Sequence, residues 1–151
     1  MVSPLPADAQ PVWPFPSPDT AQSFLSSQIA RVKIAYYRRG ADARLYASAF
    51  FGPDAQGPPG HVHGGAMAAV LDEAMGGVSW MNAHTVLAAR IGITFLAPLP
   101  LESETFVEAW IEKVEGRKVS TRARLSDATG KAVAESDGLF IVVAGDYLTA
   151  R

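Results

Sequence analysis

The pattern of hydrophobic and polar positions divides the chain into a few kinds of segment. Residues 32–51 are rich in β-branched and aromatic side chains and alternate from residue 45 to residue 50, which predicts a strand, alone or preceded by a second short one. From Gly65 to about Asn82, apolar residues occupy nearly every side, which is typical of a buried helix. Four further strand-like segments follow, separated by turn residues: 85–96, 104–114, 118–126 and 132–143. One helix followed by consecutive strands predicts an α+β fold, in which the helix covers one face of an antiparallel sheet.

The first part of the chain differs from the rest in composition. Residues 1–18 contain six prolines and lack the basic start and apolar core of a signal peptide. We expect an extended arm, either a loose tail or one that packs through Trp13 and Phe15 onto the body or a neighbouring subunit. Residues 19–31 are predicted to form a peripheral helix, capped at its first or second residue.

Composition and charge exclude several classes of protein. The chain of 151 residues fits one domain with one hydrophobic core, which we assign to residues 19–151. Thirteen basic and fifteen acidic residues give a formal charge of −2, so we expect no general nucleic-acid binding. The chain has no cysteine, which excludes disulfides, thiolate metal sites and a cysteine nucleophile and favours the cytoplasm. The apolar segments are interrupted too often to cross a bilayer, so we expect a soluble protein that does not contact membranes.

The candidate chemistry is concentrated around one loop and the helix that follows it. Gly57–Gly60 leads into His61-Val62-His63-Gly64-Gly65, and Asp72 follows nine positions after His63. Adjacent glycines allow a sharp turn, and the amides that open a helix point outward without an internal partner. Such a turn can hold a carbonyl oxygen that acquires negative charge. A bare Gly-Gly pair more often only joins a loop to a helix, but the histidine and the spaced acid favour a functional site.

The order of the elements and three motifs resemble the PaaI-like acyl-CoA thioesterases. These proteins have the hotdog fold, in which a curved antiparallel sheet wraps a long central helix. The matching motifs are Gly60–Ala66 (GHVHGGA), Leu71–Gly76 (LDEAMG) and Ile93–Pro100 (ITFLAPLP), and the resemblance runs from about residue 43 to residue 143. It implies a hydrolase that converts an acyl-CoA thioester to a free carboxylic acid and coenzyme A, with no metal and no cofactor apart from the coenzyme A of the substrate.

The resemblance also implies a role for particular residues. The Gly64 amide contacts the thioester carbonyl, with His63 beside it as a further polar contact and Gly65 in the same turn. Asp72 supplies the carboxylate, either as a nucleophile or as a general base on water. Glu73 is the competing acid, but it projects about 100° away around the helix, and we expect it to face a polar partner or water.

The spacing between the amide and the carboxylate predicts an oligomer. Gly64 and Asp72 are eight residues apart, which corresponds to about 12 Å along a helix and exceeds the reach of an aspartate side chain. If both groups act on one thioester, each site combines Gly64 of one subunit with Asp72 of another, which requires a two-fold homodimer with shared active sites. The resemblance agrees with a dimer and adds a homotetramer, a dimer of dimers, as an alternative.

Two positions depart from the pattern of the family. An Asn or Gln often precedes the motif histidine by six residues, where this chain has Gly57 with Gln56 one step away. A Ser or Thr is also common on the strand after the helix, where this chain has Ala88. His61 is a candidate substitute for these groups, although a lone loop histidine is more often a surface residue.

The best candidate for binding the coenzyme A phosphates is the basic cluster that begins with Arg117 and Lys118 and continues with Arg122 and Arg124. A solvated strand face opposite Glu112 and Glu115 is an equally good interpretation. For the acyl tail, the apolar candidates are also consistent with ordinary core packing: Met67, Met75, Trp80 and Phe95.

Three functions remain open at this stage. The first is hydrolysis of acyl-CoA thioesters. The second is a non-catalytic acyl-CoA-binding sensor or scaffold of hotdog fold, motivated by Gly57 and Ala88. The third, a hotdog dehydratase or hydratase, fits less well because those sites usually pair their acid and histidine in other orders.

Overall fold

The structure is a computed structural model that describes residues 5–15, 24–25 and 31–148. The helix and strands predicted beyond residue 64 are confirmed, with each end within one residue of its predicted position. The predicted helix at 19–31 lies largely outside the described residues. The elements in chain order are β1 (Gln10–Pro11), β2 (Val32–Arg38), β3 (Leu45–Phe51), a 3-10 turn (Pro53–Ala55), α1 (Gly64–Met81), β4 (Val86–Phe95), β5 (Ser103–Glu115), β6 (Lys118–Asp127) and β7 (Ala132–Val142).

The stretch from residue 32 to residue 51 is a hairpin of two strands, as the second of the two alternatives predicts. Gly40 has a φ of +45°, a left-handed conformation that glycine adopts readily. Asp42 fixes the reversal, because its Oδ1 accepts a hydrogen bond from the Arg44 N–H at 2.9 Å. β2 and β3 consequently pair in antiparallel register along their full length.

Seven antiparallel strands form one sheet in the order β1-β2-β3-β5-β6-β7-β4. Short turns between β5, β6 and β7 make these strands neighbours, whereas β4 joins the far edge beside β7. The helix α1 packs mainly against the strands β3 to β7. The predicted α+β arrangement, with one helix on one face of an antiparallel sheet, is confirmed.

The helix packs on the sheet through side chains with no exposed surface, among them Val70, Leu71 and Val78. A glycine pair inside a helix costs about 1 kcal/mol per residue relative to alanine, which predicts a close contact at Gly76 and Gly77. The structure confirms this at Gly77, where an added Cβ would lie only 2.9 Å from Leu45 Cδ2. At Gly76 the nearest atom would be at 3.6 Å, an ordinary contact.

The described part of the N-terminal arm packs against the body of its own chain. Gln10 and Pro11 pair with the end of β2. The rings of Trp13 and Phe15 then meet Tyr36 of β2 edge-on, with centroids 5.7 Å and 5.9 Å away. The arm therefore closes one edge of the sheet and covers the flank of α1 next to β2.

The opposite edge of the sheet is formed by β4, which pairs with β7 on one side only within the described chain. Four consecutive residues of this strand, 87–90, are exposed. Large apolar side chains are exposed at both ends of the strand, with Leu87 at 42% and Phe95 at 51%.

No helix in the described ranges is both long and apolar enough to span a membrane.

Candidate active site

The motif histidine caps the helix on which the site is built. His63 has extended backbone angles, and its Nδ1 accepts a hydrogen bond from the Gly65 N–H at 2.7 Å. The His63 N–H donates to the Ala55 carbonyl at 2.7 Å, which ties the turn to the preceding loop. The Gly65 amide is thus already engaged by the histidine. Within the described residues the Gly64 N–H has no hydrogen-bond partner, so it is the amide at this turn that is available to a ligand.

Gly57 packs closely against His63. A Cβ at Gly57 would be 2.7 Å from the His63 Cα, so this backbone has no room for an Asn or Gln at that position. The neighbouring Gln56 uses its Oε1 to accept the Gly60 N–H at 3.0 Å. His61 is also engaged within the loop, since its Nδ1 is 2.9 Å from the Pro59 carbonyl oxygen. The departure at Gly57 is therefore part of how this loop packs.

Asp72 and Glu73 are both partly buried on α1, and their surroundings differ. Burial raises the pKa of Asp72 above its usual value, and within the described residues its side chain accepts no hydrogen bond. Glu73 accepts a hydrogen bond from the Tyr36 hydroxyl, which confirms that it faces a polar partner. Burial also raises the pKa of Glu73, the Tyr36 hydrogen bond opposes this rise, and the charge of Asp72 adds to it.

Sequence patterns gave no signal for Tyr36 as the partner of Glu73. The two residues are 37 positions apart, and their contact depends on how β2 crosses the helix. The alternation of β2 does place Tyr36 on the same face as the buried Val32.

The helix holds Gly64 and Asp72 apart within one chain. α1 runs without a break from Gly64 to Met81, so the two residues are separated by about 12 Å along its axis. Asp72 shares a helix face with Gly76, one turn further on. Gly76 lies beside the ring of Phe140, whose partner across the ladder is Ala88 of β4. Asp72 therefore lies on the flank of α1 next to the open edge of the sheet.

The basic cluster divides into two parts. Arg122 pairs with Glu112 at 2.9 Å, and Arg124 pairs with Glu135 at 3.5 Å, as expected for a solvated strand face. Arg117 and Lys118 are exposed at the turn between β5 and β6, where the Arg117 Nε donates to the Val142 carbonyl. Val142 pairs with the first residue of β4, Val86, whereas the ring of Phe95, the last residue of β4, lies against Gly64. Within one chain, Arg117 and Lys118 are thus at the opposite end of β4 from Gly64.

A cavity of about 410 Å³ opens beside the motif. His63, Gly65 and Ala66 line one side of it, and its remaining lining mixes apolar side chains with a polar rim. The sequence candidates for an apolar pocket are not in this lining: Met67 and Met75 are buried in the core, Trp80 packs against it, and the ring of Phe95 lies beside Gly64. The other residues that line the cavity are Phe24, Leu25, Arg31, Val32, Asp54, Ala55 and Gln56.

Known proteins resemble this chain in both sequence and fold. Acyl-coenzyme A thioesterase THEM4 of Bos taurus is 37% identical over 91 residues, which are 60% of this chain and 37% of that protein. This chain therefore spans well under half the length of that curated relative. The crystal structure of a thioesterase superfamily protein matches with a TM-score of 0.68 and 27% identity over 72% of this chain and 53% of the other.

The fold also matches the E. coli PaaI protein from the phenylacetic acid degradation operon. That structure has a TM-score of 0.67 and 15% identity over 76% of this chain and 80% of its own. The prediction of a PaaI-like hotdog fold is thereby confirmed. The model of the thioesterase superfamily matches residues 59–134, which contain the glycine turn, α1, the strands β4, β5 and β6 and the start of β7. The chain belongs to the thioesterase superfamily.

Proposed function

We propose that this protein hydrolyses acyl-CoA thioesters to a free carboxylic acid and coenzyme A. One observation carries the proposal: α1 begins with an amide, at Gly64, that has no partner among the described residues, and presents the partly buried Asp72 further along. A donor to the developing oxyanion and a carboxylate that acts as base or nucleophile are groups that can catalyse thioester hydrolysis. Membership of the thioesterase superfamily and the similarity to THEM4 support this assignment.

In the proposed reaction, the Gly64 N–H donates to the carbonyl oxygen of the thioester, where the start of the helix favours negative charge. His63 holds the turn in shape through its bond to Gly65. Asp72 then acts in one of two ways. As a general base it takes a proton from water, whose oxygen attacks the carbonyl carbon. The C–S bond breaks, and the departing thiolate of coenzyme A takes up the proton.

As a nucleophile, Asp72 would instead attack the carbonyl carbon itself. The thiolate of coenzyme A leaves, and water then hydrolyses the resulting mixed anhydride to regenerate the carboxylate. Burial of Asp72 suits either role, because a carboxylate that is poorly hydrated is a stronger base. Neither route calls for a metal or a redox cofactor.

The site is proposed to form across a two-fold dimer. The open edge of β4 and its exposed apolar side chains support pairing of this strand with its copy. β4 has ten residues and is about 33 Å long. Antiparallel pairing would bring the Phe95 end of one copy to the Val86 end of the other. Gly64 of one subunit would then approach Asp72, Arg117 and Lys118 of its partner, so the exposed cations would be available for the coenzyme A phosphates.

The test is release of free thiol from a panel of acyl-CoAs with short, medium, long and aromatic acyl groups. Asp72→Ala is expected to lower turnover about 100-fold or more, with an unchanged circular dichroism spectrum. Glu104→Gln, which removes a negative charge from an exposed position of β5, is the matched control and should retain activity. Absence of turnover by the wild-type protein across the whole panel would contradict the proposal.

The second candidate function is a non-catalytic acyl-CoA sensor or scaffold. It is favoured by the crowding at Gly57, which excludes the amide side chain common in the family, and by Ala88 on β4. It predicts that acyl-CoA raises the melting temperature while none of it is consumed. Hydrolysis that depends on Asp72 would eliminate this candidate.

A further inference from the structure

The imidazole of His63 is held between two glycines of the backbone. A Cβ added at Gly57 would lie 2.7 Å from the His63 Cα and 3.2 Å from its Cδ2, and a Cβ added at Gly65 would lie 2.9 Å from its Nδ1. The backbone therefore passes so close to two edges of the ring that neither glycine position has room for a larger side chain. These contacts, together with the bond from the His63 N–H to the Ala55 carbonyl, fix how the ring meets the start of α1.

The hydrogen bond from Gly65 determines which ring nitrogen carries the proton. A backbone N–H can only donate, so Nδ1 of His63, 2.7 Å from the Gly65 nitrogen, is the acceptor. A neutral imidazole has one acceptor nitrogen and one N–H, which places its hydrogen on Nε2. Among the described residues, the bond to Gly65 is the only hydrogen bond that this ring makes. The ring therefore caps the helix in one defined tautomer.

The capping bond also decides which amide of the turn is free. Gly64 and Gly65 are the first two residues of α1, and their N–H groups have no acceptor within the helix. Because the ring occupies the Gly65 N–H, the Gly64 N–H is the one that stays available in a turn of fixed shape. An imidazolium carries hydrogen on both nitrogens and cannot accept a hydrogen bond. Protonation of His63 therefore removes the cap and loosens the turn that aims the Gly64 N–H.

The charged groups of the described residues near this ring do not pair with it. Arg31, just before β2, and Asp54 of the 3-10 turn line the cavity beside His63, and both are exposed. His61 of the same loop has its own contact with a backbone carbonyl. The first turn of α1 has no acidic residue, and β4 meets the glycine turn with the uncharged ring of Phe95. The capping bond is thus the described interaction that a proton on Nδ1 would break.

We infer that His63 is a positioning residue that works only in its neutral form. The Nε2–H tautomer keeps the Gly64 amide aimed at the thioester, and protonation of Nδ1 releases it. The inference rests on the proposed function, because it takes the Gly64 N–H as the donor to the carbonyl oxygen. A direct contact between His63 and the substrate would instead use the Nε2–H.

Two substitutions separate these roles of His63. In His63→Asn, the side-chain oxygen takes the place of Nδ1, and Asn is among the best residues for capping a helix N-terminus. In His63→Gln, the longer side chain reaches the place of Nε2, but its amide lies too far out to cap the helix in the same way. His63→Ala removes both groups.

The first test needs no substrate. ¹⁵N NMR of the neutral ring is expected to show a hydrogen on Nε2 and none on Nδ1. Exchange of the Gly65 N–H with water should be slow in wild type and His63→Asn, and about 3- to 10-fold faster in His63→Ala and His63→Gln, as expected for the loss of one hydrogen bond. A hydrogen on Nδ1, or equal Gly65 exchange in wild type and His63→Ala, would overturn the inference.

The second test follows turnover against pH. Above the range in which histidines titrate, His63→Ala and His63→Gln should lower kcat about tenfold or more with little change in KM, because the aim of an oxyanion donor affects the transition state most. His63→Asn should restore kcat to within about threefold of wild type. Turnover that survives in His63→Gln but not in His63→Asn would show a direct contact through Nε2 and overturn the inference.

The acidic limb of the kcat profile gives the matching result for proton control. In wild type, both Asp72 and His63 must lose a proton, so kcat should fall more steeply toward low pH than in His63→Asn. His84→Asn, which removes the histidine that follows the other end of α1, should keep the steep limb of wild type. Equal steepness in wild type and His63→Asn would overturn the inference. A wild-type protein without turnover would overturn the proposed function alone, and the NMR measurements would still decide the role of His63.

Discussion

The two flanks of α1 differ in how completely a single chain covers them. On the flank next to β2, Glu73 is bonded to Tyr36, and Trp13 and Phe15 pack over that tyrosine. On the flank next to β4, Asp72 accepts no hydrogen bond from the described residues, and the strand beyond it has an exposed edge. We call these the closed flank and the open flank.

The sheet edges on the two flanks differ in the same way. β1 is two residues long and contains Pro11, which has no N–H to offer to another strand. β4 is ten residues long, contains no proline and carries exposed apolar side chains at both ends. A short edge with proline resists pairing, whereas a long apolar edge favours it. The difference supports the proposed dimer, in which the open flank meets a second copy to form the site.

The largest loss of turnover and of dimer is expected from a charge placed on the open flank. Ala89 is an exposed residue at the irregularity in the β4–β7 ladder. In the proposed dimer, Ala89→Lys brings two positive charges to the two-fold interface, so sedimentation velocity should show a monomer. Turnover should fall about 100-fold or more, because Gly64 and Asp72 no longer meet.

The control places the same charge on the closed flank. Gln10→Lys alters an exposed position of β1 and should change neither the sedimentation coefficient nor turnover. If Ala89→Lys remains dimeric and active, the active site does not form by pairing of β4 at the open flank.

A smaller effect is expected from breaking the closed flank. Tyr36→Phe keeps the packing of the ring but removes the hydroxyl, which leaves the partly buried Glu73 carboxylate without its donor. The free energy of unfolding, measured by urea denaturation at pH 7, should fall by about 1 to 3 kcal/mol. Tyr37→Phe, on the opposite face of the same strand, is the matched control and should change it by less than about 0.5 kcal/mol. Equal effects of the two substitutions would show that the Glu73 bond contributes little.

The features of this molecule that could be predicted from the sequence are those that depend on residues close together in the chain. The bounds of α1 and of the strands after it were predicted to within one residue, because a run of apolar residues and the turn residues that end it are local features of the sequence. The separation of Gly64 and Asp72 also follows from the rise of one helix. Contacts that depend on tertiary packing could not be predicted from the sequence. Examples are the hydrogen bond between Tyr36 and Glu73 and the close approach of Gly57 to His63.

The shared site proposed at the open flank could be predicted from the sequence only in part. The resemblance to a dimeric family and the helix spacing both predict a shared site. The exposed edge of β4 is a property of strand order, which follows from tertiary packing and could not be derived from the strand-like composition of residues 85–96. The separation of Arg117 and Lys118 from Gly64 within one chain has the same origin, because it depends on which strands become neighbours.

The smallest effect is expected from the pH dependence of stability on the open flank. Burial raises the pKa of Asp72, so the folded protein binds this proton more readily than the unfolded chain does. The contribution of Asp72 to stability is therefore fully present below the pKa of the unfolded state and is lost as the pH rises through the pKa of the folded state.

Asp72→Asn remains neutral throughout this range and does not undergo that loss. Relative to wild type, its free energy of unfolding should therefore increase as the pH rises from about 4 to about 8. Urea denaturation at matched protein concentration across this range measures the difference, and Glu73 is present in both proteins. A difference that stays constant with pH would mean that Asp72 is as well hydrated in the folded protein as in the unfolded chain. Because the same burial strengthens Asp72 as a base, that outcome would also remove the physical reason for preferring it over an exposed carboxylate.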